Sequence, residues 1–124
     1  MPDVKILAIV DRQVSKAKIL AEKYKIPQAL KSLDEAVKIP GAQAVIVTTS
    51  TDAHAENALT AIGAGKHVFI ERPAARTLQE TMDIKAAAQE KGVHVMIGMN
   101  HRFRPDVAQM KNAVRGQRQA SGLL

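Results

Sequence analysis

The sequence predicts a doubly wound α/β fold built on a parallel sheet, and three observations predict it. Short, nearly unbroken apolar runs recur along the chain. Each is followed by a segment whose apolar residues return at helical spacing. Successive strands begin about two dozen residues apart, the rhythm of right-handed βαβ crossovers.

Lys5 to Val10 is almost continuously apolar, as a strand covered on both faces would be, and Asp11 closes it. From Val14, the residues Ala17, Leu20, Ala21 and Tyr24 mark a helix that Pro27 stops. Gln28 to Leu30 fits a brief edge strand. Ser32 and Glu35 have capping-box spacing, placing a short helix over Asp34 to Lys38 before Pro40-Gly41 breaks it. Ala44 to Thr48 is the next strand and runs into a polar cluster. Ala55, Ala58, Leu59 and Ile62 follow on one helical face, capped by Thr51 or Asp52 in front and by Gly63 or Gly65 behind.

His67 to Ile70 reads as a short buried strand that delivers Glu71-Arg72-Pro73 to its own carboxyl end, where open α/β sheets bind ligands. The other reading of that tripeptide is a solvated turn. Thr77 and Glu80 repeat the capping-box spacing ahead of a helix that reaches about Lys91 and ends at Gly92. Val93 to Ile97 is a further strand, and Gly98 to Pro105 a loop. Val107, Met110 and Val114 mark a last helix expected to stop near Gly116, leaving 117–124 as a basic, flexible tail.

Composition narrows the function classes. The chain of 124 residues is sized for one domain, and 46% hydrophobic with 24% charged residues is ordinary for a globular protein. Cysteine is absent, so disulfides and thiolate metal sites are excluded. No apolar run reaches the roughly 20 residues of a membrane helix and no signal-peptide plan opens the chain; a soluble, cytoplasmic protein is expected. The net charge of +6 sits largely beyond residue 100, where Arg102, Arg104, Lys111, Arg115 and Arg118 face only Asp106. With Tyr24, Phe69 and Phe103 the only aromatic residues, base stacking has little material, and nucleic acid is not an expected partner.

In their order and spacing, four segments resemble the nucleotide-binding domain of the glucose-fructose oxidoreductase, inositol dehydrogenase and rhizopine-catabolism (Gfo/Idh/MocA) family. They are Asp11 closing the first strand, Ala44 to His54, Gly65 to Pro73, and Gly98 to Pro105. The resemblance spans about residues 4 to 116. It implies a Rossmann fold that binds NAD or NADP, with a second domain supplying the substrate site. It also implies cofactor-binding positions at Asp11, Arg12, Thr49, Ser50, Thr51, His54, Glu71, Arg72 and Pro73. Each has a plainer reading: Asp11 as a helix cap, Arg12 as a solvated charge, Thr49 to Thr51 as turn and cap residues, His54 as a structural hydrogen-bonder, and Glu71-Arg72 as a surface ion pair. No catalytic residue and no metal ligand is assigned.

Departures from the family pattern bear on function. The first glycine in the chain is Gly41, so the glycine-rich turn that would hold a pyrophosphate is absent. Arg72 replaces the family's Lys with a group that does not readily release a proton, and Ser50 stands where Pro is usual. The second domain has no counterpart. A Rossmann sheet of order 3-2-1-4-5-6 that loses its first strand and closes the gap becomes, renumbered, a five-stranded flavodoxin-like sheet of order 2-1-3-4-5 in three layers. Strand exchange between copies and an unstable fragment are the alternatives to closure. Loss of the first crossover helix should leave apolar surface for a homodimer to bury. The expected function is a truncated NAD(P)-binding domain, with nucleotide affinity weak or lost and no complete dehydrogenase activity of its own. The alternative is a non-catalytic, homo-oligomeric binding module.

Overall fold

The computed structural model describes residues 4–120. Its elements alternate as expected: β1 (Ala8–Val10), α1 (Val14–Tyr24), β2 (Gln28–Leu30), α2 (Leu33–Ala36), β3 (Ala44–Val47), α3 (His54–Gly63), β4 (His67–Ile70), α4 (Leu78–Lys91), β5 (Val95–Ile97) and α5 (Pro105–Ala120). Every strand pairing is parallel. Among the described residues no helix is long and apolar enough to cross a membrane.

Local chemistry accounts for most element ends. The Thr77 hydroxyl accepts from Glu80 N–H at 3.1 Å while the Glu80 carboxylate accepts from Thr77 N–H at 3.0 Å, a complete capping box opening α4. Gly92, at φ 65°, closes the same helix in the left-handed conformation. Ser32 caps α2 through Glu35 N–H. Ahead of α3, by contrast, neither Thr51 nor Asp52 caps the helix. They lie in a 3₁₀ turn, Thr51–Ala53, whose last N–H bonds to Ser50 O at 3.0 Å, and the cap position falls on Ala53. The last helix runs through Gly116 to Ala120 and does not stop at the glycine. A helical glycine costs only about 1 kcal/mol, which the surrounding helix formers absorb. The remaining tail, 121–124, lies outside the described residues.

The expected five-stranded sheet is not formed. The strands make two ladders, β1-β2 and β3-β4-β5, with no ladder bond between β1 and β3. The helices hold these ladders at their spacing. α1 packs on β1 and β2, α3 packs on β3, β4 and α4, and α2 touches β1, β2 and α3, bridging the two halves. An apolar cleft of about 630 Å³ separates the ladders, lined on one side by Ala8, Ile9 and Val10 and on the other by Ala44 to Val47.

Register sorts the three-stranded sheet into two unlike faces. Val47 pairs with Ile70 and Ile70 with Ile97; Val45 pairs with Val68 and Val68 with Val95. These rows meet Ala58, Ala61 and Ile62 of α3 and Ile84 and Ala88 of α4, and this is the core. The alternate row, Ile46–Phe69–Met96, points the other way and lacks a helical cover: Ile46 is 65% and Met96 42% exposed.

Candidate functional site

Strand carboxyl ends carry the polar groups that sequence patterning places there. Each end is pinned by one more ladder-like bond: Asp11 N–H to Leu30 O at 3.1 Å, Glu71 N–H to Val47 O at 3.0 Å, and Gly98 N–H to Ile70 O at 2.8 Å. Asp11, Thr48-Thr49, Glu71 and Gly98 therefore end their strands in fixed positions.

His54 ties two of these ends together. Its ring is 1% exposed, with Nδ1 2.7 Å from the carbonyl oxygen of Pro73 and Nε2 3.0 Å from that of Thr49. Carbonyl oxygens only accept, so whichever ring nitrogen bears hydrogen donates to the carbonyl it faces. The imidazole thus clamps the turn after β3 to the turn after β4, and both its nitrogens are committed to backbone. Asn57, one helical turn on, reinforces the clamp: its side-chain amide donates to Ala53 O at 2.7 Å and reaches Thr49 Oγ1 at 3.5 Å. Asp52 and Arg76 form a surface ion pair at 3.4 Å across the same turns.

The Glu71-Arg72-Pro73 turn is exposed, with a cis bond between Arg72 and Pro73. Glu71 Oε2 accepts from Arg72 N–H at 3.1 Å. That carboxylate lies over Gly98, where a Cβ would approach it to 3.0 Å and would approach Phe69 to 3.2 Å. A side chain at position 98 would push the carboxylate aside, so the glycine sets where Glu71 rests. Glu71 and Arg72 make no side-chain ion pair with each other among the described residues.

On the other ladder, Asp11 does what a cap-like Asx residue does. Its Oδ1 accepts from Gln13 N–H at 2.7 Å as the chain enters α1, which leaves Oδ2 for another donor. Arg12 beside it is exposed. The expected residues thus fall into two groups on the two ladders: Asp11 and Arg12 after β1, and Thr49, Ser50, Thr51, His54 and Glu71 to Pro73 after β3 and β4. Of them, Thr49 alone lines the cleft. A second cavity, of about 640 Å³ between α1 and residues 4–6, includes none of them. Sequence reading did not single out Gly98, Asn57 or the Pro73 carbonyl. Gly98 had a signal, a glycine directly after a buried strand, whereas a backbone carbonyl leaves none.

Parallel βα units with polar groups at the strand carboxyl ends define a doubly wound α/β domain, whose ligands bind at those ends. Within that class, residues 1–99 match the model of the Gfo/Idh/MocA oxidoreductase family, described as its NAD-binding Rossmann fold, and the chain belongs to this family. It is 32% identical over 114 residues to the uncharacterized oxidoreductase YrbE of Bacillus subtilis, covering 92% of this chain and 33% of that protein. It is 33% identical over 111 residues to a 1,5-anhydro-D-fructose reductase of Ensifer adhaerens, covering 88% and 33%. The fold superposes on an NAD binding oxidoreductase from Klebsiella pneumoniae with a TM-score of 0.83 at 29% identity, over 92% of this chain and 31% of that one. The chain spans about a third of the length of these relatives.

Proposed function

We propose that these residues form the nucleotide-holding half of an NAD(P)-dependent oxidoreductase site, with weak affinity for the cofactor and no complete hydride-transfer activity by themselves. The observation that carries this reading is Asp11, fixed at the end of β1 with one carboxylate oxygen held by Gln13 and the other available to accept from ribose hydroxyls.

The fit to a dinucleotide is partial. The ribose end suits Asp11, and Arg12 stands beside it for a 2′-phosphate. The glycine-rich turn that would hold the pyrophosphate is not among these residues, which supply the ribose end and the rim alone. At the far end, the His54 clamp and Gly98 hold Glu71 to Pro73 as a rigid rim where the nicotinamide of a bound cofactor would lie. A bound NAD(P) would supply the hydride chemistry; this chain's part is to hold the ribose and shape that rim. Arg72, always charged, binds and orients without moving a proton.

Asp11→Ala is expected to weaken NADH binding by about tenfold, the value of a charged hydrogen bond. The change should appear in a cofactor fluorescence titration with the circular dichroism spectrum unaltered. An unchanged affinity would remove Asp11 from the site.

The same reading includes a homodimer. The uncovered Ile46–Phe69–Met96 row is the apolar surface that a second copy would bury. Light scattering across a concentration series is expected to show a dimer, and a monomer at every concentration contradicts it.

A further inference from the structure

Where β5 joins β4, the first rung of the ladder is made by a side chain. Val68 pairs with Val95, and Val68 N–H donates to His94 O at 2.9 Å, which starts the ladder one residue ahead of β5. In a parallel ladder the N–H and C=O of one residue point to the same side, so the His94 N–H also points at β4. A regular ladder would offer it the carbonyl of Lys66. It donates instead to Nδ1 of the His67 imidazole, at 3.0 Å.

A backbone N–H only donates, so Nδ1 of His67 carries a lone pair there and the ring hydrogen is on Nε2. The rung exists only with the neutral ring. Protonation puts a hydrogen on Nδ1, turns the acceptor into a donor and sets it against the His94 N–H. The rung is therefore kept at higher pH and lost as pH falls, within the range of about pH 5 to 8 where imidazoles change charge.

The surroundings favour release once a proton arrives. The His67 and His94 rings are stacked, with centroids 5.3 Å apart and planes at 23°, and both residues are exposed to solvent protons. Two charged rings in that arrangement repel. The helix end and segments leading into β3, β4 and β5 carry Lys38, Lys66, Glu90 and Lys91, and among the described residues none of these forms an ion pair with either ring. Lys66 is engaged elsewhere, donating to Ala42 O at 2.9 Å. The carboxyl end of β5 is pinned separately, by Gly98 N–H to Ile70 O at 2.8 Å, which confines the release to the strand's entry.

We propose that His67 is a proton-sensitive latch: neutral, its Nδ1 holds the amino end of β5 to β4, and protonated, it lets that end come away.

Hydrogen exchange of single amides, read by NMR as protection relative to a free peptide at the same pH, tests the latch. Between about pH 7.5 and about pH 5.5 the His94 amide is expected to lose protection about tenfold, while Ile70 and Gly98 keep theirs. His67→Asn places a carbonyl oxygen near the Nδ1 position, an acceptor that does not titrate, and should hold the His94 amide equally at both pH values. His67→Ala offers no acceptor and should leave that amide unprotected at both. If His67→Ala does not fold, the contrast between the parent and His67→Asn decides. Three results would overturn the proposal: unchanged His94 protection in the parent, an equal acid loss in His67→Asn, or an equal loss at Ile70 and Gly98. The last would mean that acid opens the whole sheet.

Discussion

Replacing His54 by alanine is expected to lower the unfolding free energy by about 2–3 kcal/mol and the Tm by about 10 °C. The ring is almost fully buried, and its two hydrogen bonds reach backbone carbonyls in turns that no ladder bond joins directly. Alanine removes both ring contacts and leaves a void beneath Thr49 and Pro73. Water can reach both exposed turns, which keeps the loss below that of a fully interior network. The effect should extend to the Glu71-Arg72-Pro73 rim, whose amides should exchange faster in the variant. His54→Gln restores at most part of the loss, because a single side-chain nitrogen cannot span both carbonyls. A thermal melt of His54→Ala within about 0.5 kcal/mol of the parent would mean the clamp is not structural.

Ile70→Ala is the other large effect, at about 2–5 kcal/mol in chemical denaturation, with Ile70→Val at about 0.5–1.5 kcal/mol. Ile70 is 0% exposed at the carboxyl end of β4, between Val47 and Ile97 and beneath α3 and α4. Its loss opens a cavity that paired strands and packed helices cannot collapse around. The matched control is Ile46→Ala on the neighbouring strand but the opposite face, where 65% exposure predicts a change within about 0.5 kcal/mol. Equal losses at both positions would contradict the unequal faces of this sheet.

Features governed by neighbours in the chain were legible in the sequence. The Thr77/Glu80 capping box and the bounds of β4 lie where spacing and apolar runs place them, because a helix start and a short buried strand are largely local events. Features governed by distant partners were not. The apolar run from Lys5 to Val10 is a ladder strand only over Ala8–Val10, since β2 offers three partners and the other edge faces the cleft. Closure into one sheet looked favourable as strand arithmetic. The contacts of α2 with β1, β2 and α3, which bridge the two ladders, have no signature in periodicity.

The candidate site divides along the same line. Asp11 and Glu71 were recognisable because a strand that stops in a carboxylate is a local pattern. His54 was visible as a histidine in the first turn of a helix, but its role is set by carbonyls 5 and 19 residues away. Gly98 matters only because Glu71 folds over it from the neighbouring strand.

The central claim is that the β1 and β3 ends still hold a nicotinamide dinucleotide. A fluorescence titration of the purified protein with NADH, and in parallel with NADPH, tests it most directly. Saturable one-to-one binding with a Kd of about 0.1–1 mM, or about 4–5 kcal/mol, is the predicted result; a signal that stays linear to millimolar cofactor would contradict it.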